Sequence, residues 1–201
     1  MILVPAPAKV LAALGSGNSN LALLPPSQTV GLNTSFSVDV QVQTNNNSIN
    51  VVQFYLDFDP AKLTVSSITA AAAWNGNTVT ILENSFDSVT GQINFAGGVS
   101  GVTVKGNIPI ATINFVAKAA TVDTRITFHF SPPPQRDTNV YGGPGDSFLG
   151  TATGASLTVT SEANPVTPTP GQTNVTPNPP STPPPLPPPP SRPVMAGRSR
   201  A

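Results

Sequence analysis

The sequence predicts an all-β chain, an antiparallel β-sandwich followed by a disordered, proline-rich tail. Three observations carry this. Apolar residues recur with period two across most of residues 20–160, which is the strand period. Turn-forming pairs such as Asn75-Gly76 and Gly97-Gly98 separate the runs. Finally, 14 of the 24 prolines fall between Pro165 and Pro193, in a stretch too poor in apolar side chains to offset its ordering entropy.

These divisions set the domain plan. Residues 1–19 read as a disordered leader or signal-peptide remnant: MILVPAPAKVLAAL is apolar but broken by Pro5 and Pro7, and it is too short for a bilayer-spanning helix. Residues 20–160 form the sandwich, a size that buries about two-thirds of its unfolded surface and needs no disulfide staples. Residues 161–201 form the tail, whose TPTPGQTNVTPNPPSTPPPLPPPPSRP run has the polyproline bias of a semi-rigid spacer.

The strands follow in order. Leu21–Leu24 opens the set. In Ser35–Thr44, Phe36, Val38, Val40 and Val42 share one face, and Asn45-Asn46-Asn47 then turns the chain. In Ile49–Asp59, Val52, Phe54, Leu56 and Phe58 point inward, with Val51, Gln53, Tyr55 and Asp57 outward. Asp59-Pro60 ends that strand, because proline cannot donate to a ladder. Leu63–Ile68, Thr78–Leu82, Gly91–Ala96, Ile110–Lys118, Thr124–Phe130 and Ala155–Thr160 complete about nine strands. Thr69–Trp74 (TAAAAW) is the one helical candidate, a single turn in a loop. Phe36, Phe54, Phe58, Phe95, Phe115, Phe128 and Phe130 are assigned to the core, each worth roughly 1.5–3 kcal/mol by burial.

Composition excludes several function classes. With nine basic and nine acidic residues, and 9% of residues charged, there is no basic stripe for nucleic acid. The absence of cysteine excludes disulfide scaffolds, thiolate metal sites and cysteine nucleophiles. The single histidine, His129, lies on an alternating segment without a nucleophile-elbow motif, so it is expected to face solvent and the chain to be no enzyme. Low charge with abundant Thr, Asn, Ser and Gly accompanies exported bacterial surface proteins. Asp137, Asn139 and Asp146, in RDTNVYGGPGD, are oxygen donors of the kind calcium uses, although their spacing matches no EF-hand and turns claim most such residues. Tyr55, Trp74 and Tyr141 are the aromatic rings available to a ligand, with a tucked loop position as the competing assignment for Trp74. Tyr55 lies on an uncharged strip with Val51 and Gln53, suited to a protein partner or a polysaccharide.

Four segments resemble one family in order and spacing. NVVQFYLDFDPAKLTV (residues 50–65), GQINFAGG (91–98), GNIPIATINFVAKA (106–119) and GTATGASLTVT (150–160) are similar to successive strands of cohesin domains. These are receptor modules of bacterial cellulosomes, akin to carbohydrate-binding sandwiches. The resemblance implies a nine-stranded jelly roll, no catalysis and no cofactor, and a dockerin-like partner protein at the bacterial cell surface or outside the cell. In the family, Asn and Asp on the outward face of the third strand bond the dockerin helix. The matching positions here are Val51 and Gln53, with Asp57 further along. A carbohydrate-binding module and a structural surface or fibre subunit are the alternative roles.

Overall fold

The computed structural model describes residues 17–131, 136–143 and 145–161, all within the first of the chain's two units, Met1–Pro165. Nearly all of the expected leader and tail lies outside the described residues. Fifteen strands follow in chain order: β1 (Ser19–Leu24), β2 (Ser27–Gly31), β3 (Ser35–Gln43), β4 (Val51–Phe58), β5 (Leu63–Ala70), β6 (Ala73–Trp74), β7 (Asn77–Thr78), β8 (Thr80–Asp87), β9 (Gln92–Gly98), β10 (Asn107–Ala117), β11 (Thr121–Phe128), β12 (Asn139–Gly142), β13 (Asp146–Ser147), β14 (Leu149–Thr153) and β15 (Ala155–Thr160). No helix among the described residues is long and apolar enough to cross a membrane.

One sheet runs β14-β1-β3-β10-β5. The larger runs β13-β12-β4-β11-β15-β2, with β9 on the other edge of β4 and β8 outside β9. All pairings are antiparallel except two. β1 lies parallel to β14 in the smaller sheet, and β2 parallel to β15 in the larger. The first and last strands therefore cross between sheets together. Pro25-Pro26 supplies the first break, since neither residue can donate to a ladder. Gly154 supplies the second: a Cβ there would stand 2.3 Å from the Ile126 carbonyl oxygen, closer than any side chain tolerates. Counting each crossing pair as one strand, the sandwich has the nine strands of a jelly roll. β6–β7 and β12–β13 are added hairpins.

The described strands match the sequence expectation in kind and depart from it in places. TAAAAW forms no helical turn, because β5 runs on to Ala70 and Ala73–Trp74 pairs with Asn77–Thr78. Between them Asn75 and Gly76 hold positive φ of 48° and 80°, the turn that closes a two-residue hairpin. Gly97 and Gly98 make no turn; they belong to β9. Gly98 is there because a Cβ would sit 2.6 Å from the Asn50 carbonyl oxygen. The strand expected at Thr78–Leu82 extends instead over Thr80–Asp87 as an edge strand, and Phe130 lies beyond the end of β11, packed partly buried against the core.

Between the sheets the alternating residues meet as one apolar layer. Phe54 and Phe95, paired across β4 and β9, stack with centroids 4.7 Å apart, and Phe36 stacks on Phe115 at 5.4 Å. Phe58 meets Phe115 edge-on. Trp74 is fully buried in the same layer.

Candidate functional site

On β4, Val52, Phe54 and Leu56 are buried, and Val51, Gln53, Tyr55 and Asp57 lie half-buried on the opposite face. Register then gathers their neighbours. Tyr55 stands opposite Asn94 and Asp57 opposite Gln92 on β9. Ser85 and Glu83 of β8 extend the same face. On the other edge Thr127 of β11 faces Asp57, while Asn139 and Tyr141 of β12 face Gln53 and Val51. Five of the six candidate contact residues therefore share one surface: Val51, Gln53, Tyr55, Asp57 and Tyr141. Trp74 does not. With no exposed surface it cannot reach a ligand, and the tucked assignment for it is the correct one.

β11 and β12 pair with successive stretches of one edge of β4, and the described residues 136–138 precede β12 there. Thr138 fills the resulting gap in the ladder, since its hydroxyl accepts from the Tyr55 N–H at 3.0 Å and donates to the His129 carbonyl at 2.7 Å. Arg136 reaches across two strands. It donates to Asp57 Oδ1 (2.6 Å), Asn94 Oδ1 (3.0 Å), and the Leu56 and Ile93 carbonyls (2.9 and 3.2 Å). Its guanidinium carbon lies 5.6 Å from the Tyr55 ring centroid, within cation–π range. Gln53 donates to the Asp137 carbonyl at 2.6 Å. No sequence signal pointed to Arg136, because its partners lie 42 to 80 residues away.

His129 is not freely solvated as expected. Its side chain is 33% exposed and its Nδ1 meets Asp57 Oδ2 at 2.6 Å. Its Nε2 lies 3.0 Å from Ser131 Oγ. Ser, His and Asp are thus connected in the order of a hydrolytic triad, but the arrangement has a simpler cause. His129 and Ser131 are two apart on extended chain and so share a face, and Asp57 is also the anchor for Arg136. The group stands on a half-exposed sheet face, where the low-dielectric enclosure that empowers a triad is lacking. It is a relay that ties His129 and Ser131 to Asp57 of β4.

Burial pushes the Tyr55 hydroxyl above its ordinary pKa, with the Glu83 carboxylate beside it and hydrogen-bonded to it adding to the rise. Tyr141 is raised by burial and then by Asp137. Asp137 is itself raised by burial, which opposes the ionised form that calcium needs. Asn139 Oδ1 is taken up by the Ser147 hydroxyl at 2.7 Å and the Val140 N–H at 2.8 Å, and Asp146 is exposed on β13. Among the described residues no group of three or more His, Cys, Asp or Glu is placed to hold a metal ion.

The model of one protein family, described as "Cohesin domain", matches residues 25–132. No curated protein sequence matches the chain. Among solved structures, the chain is similar to CaCohA2 from Clostridium acetobutylicum, at 15% identity and a TM-score of 0.56, over 73% of this chain and 94% of that one. It is also similar to the seventh ScaB type I cohesin from Pseudobacteroides cellulosolvens, at 18% identity and TM-score 0.54, over 74% and 95%. A third is a type I cohesin–dockerin complex from Clostridium thermocellum, Coh-OlpC-Doc435, at 10% identity and TM-score 0.57, over 74% and 97%. At such identities the likeness is one of fold.

Proposed function

The chain belongs to the cohesin domain family, and from that premise we propose that its sandwich is a non-catalytic receptor for a dockerin-like protein module. Its setting is the bacterial cell surface or the extracellular space, in polysaccharide degradation or surface assembly. The single observation that supports this reading is the surface built on β4. Its middle carries Val51, Gln53 and Tyr55, flanked by Tyr141 on one side and Glu83 on the other. A similar fold is held in complex with a dockerin in the Clostridium thermocellum structure.

The chemistry of this surface differs from the family pattern of Asn and Asp on the third strand. Gln53 is already engaged with the Asp137 carbonyl, Asp57 is neutralised by Arg136, and Glu83 stands beside Tyr55. A partner therefore meets aromatic and amide groups with the Glu83 carboxylate at their edge. Interface energy of that kind concentrates in a few buried rings, which makes Tyr55 and Tyr141 the anchors.

Pull-down of the full chain against a panel of dockerin modules tests the proposal. Binding at micromolar concentration is expected, with at least a tenfold loss in the Tyr55→Ala, Tyr141→Ala double variant. No binding across the panel, or binding indifferent to both rings, would overturn it.

A further inference from the structure

The opposite outer face, on the five-stranded sheet, has a different character. Its outward positions on β1, β3, β10 and β5 carry amides, hydroxyls and small side chains, with Asp39 as the one charged group. On it lies an open groove of about 320 Å³ whose lining includes Leu24, Asp39, Gln41, Thr69, Pro109 and Thr112. That volume is at the lower end of the ~300–1,000 Å³ of small-molecule sites.

A β-bulge makes the groove. The register of β10 against β3 slips between Pro109 and Ala111, and the two successive residues Ile110 and Ala111 both turn inward. The outer face therefore lacks a side chain between Pro109 and Thr112. Bulges commonly re-aim side chains in this way beside sites.

The lining has a definite chemistry. The Thr112 hydroxyl donates to Asp39 Oδ1 at 2.6 Å, which fixes the carboxylate and leaves its second oxygen available. Among the described residues, Gln41 and Thr69 make no side-chain hydrogen bond. The groove thus offers one acceptor-only group together with amide and hydroxyl groups that both donate and accept. An ammonium group has only donors and leaves the Gln41 N–H unused. An anion is repelled by Asp39. A vicinal diol satisfies all three, donating to the carboxylate while accepting from the amide. Leu24 and Pro109 at the rim supply apolar contact for the C–H face of a ring.

We propose that this groove is a binding site for a short stretch of a neutral polysaccharide, held through vicinal hydroxyls by Asp39 and Gln41. The site is separate from the partner surface on β4 and does not rest on it. With no aromatic platform the affinity is weak, on the order of a millimolar Kd.

Affinity electrophoresis of the full chain in gels containing hydroxyethyl cellulose or xylan tests it, with a polysaccharide-free gel correcting for charge. Retardation is expected in at least one gel. Asp39→Ala and Gln41→Ala should each weaken it at least tenfold without lowering Tm, whereas Tyr55→Ala should leave it unchanged. The proposal is overturned by unretarded migration in both gels, by retardation that survives both groove variants, or by retardation lost only in Tyr55→Ala. Amide shifts on titration with cellohexaose provide a second readout. They should centre on Gln41 and Thr112, and shifts centred on β4 would overturn the assignment. Dockerin binding by the groove variants stays intact, so the failure of either proposal leaves the other standing.

Discussion

The outer faces of the two sheets rest on one shared apolar layer, yet they settle their polar groups differently. On the β4 face, charges are knit across long stretches of chain: Arg136 joins Asp57, Asn94 and two strand carbonyls, and Asp57 also holds His129. On the β3–β10 face, outward side chains bond across neighbouring strands. Thr112 bonds Asp39, Asn114 bonds Ser67, and Thr151 bonds Asn20. The first face depends on a loop to complete it; the second is complete as soon as the sheet forms. The β4 face has spent the charges of Arg136 and Asp57 internally. A face completed by its own strands keeps isolated groups, such as Gln41, available for a ligand.

The largest expected effect erases the difference. Phe95→Ala removes the ring stacked on Phe54 in the shared layer and should cost about 3–5 kcal/mol. Urea unfolding followed by fluorescence and by amide shifts of both faces should give one coincident transition. Two separated transitions would mean that the faces do not share a core.

A smaller effect should separate the faces. Arg136→Ala withdraws a clamp whose partner Asp57 is 40% exposed, so solvent screening reduces its worth to about 1–2 kcal/mol. Amide shifts should move along β4, β9 and the β11–β12 loop and stay unchanged on β3 and β10. Shifts spread equally over both sheets would contradict the division drawn between them.

The smallest effect concerns acid. Asp87, at the β8–β9 turn, accepts the N–H groups of Val89 at 2.7 Å and Thr90 at 3.3 Å, and these bonds hold its carboxyl below the ordinary Asp range. Its folded pKa therefore lies below its unfolded one. The stabilisation is present above the unfolded value and is lost as pH falls through the folded value. Asp87→Asn should flatten the acid limb of thermal stability below about pH 4 and leave the rest of the profile unchanged. An unaltered acid limb would show that the turn bonds do not matter to stability.

Much of the β4 surface was legible from alternation alone. Val51, Gln53, Tyr55 and Asp57 must share a face once the segment is a strand, and Phe54 and Leu56 must share the other. The Asp59-Pro60 corner was equally local: Asp59 Oδ1 accepts the Ala61 N–H at 2.8 Å, a bond between residues two apart. Trp74 was not legible in this way. Two-residue strands carry too little pattern to orient a ring, and the burial of Trp74 follows from where the β6–β7 hairpin folds against the core.

The sequence by itself determined the strand class, the inward aromatic ladder and the residues that share a face, because these depend on a period of two along the chain. Only the tertiary structure decided the rest. It made the first and last strands change sheets together, laid Arg136 over Tyr55 and Asp57, and opened a groove where β10 slips against β3. Each of these is a relation between strands far apart in sequence, and periodicity within one strand says nothing about the register of its neighbour.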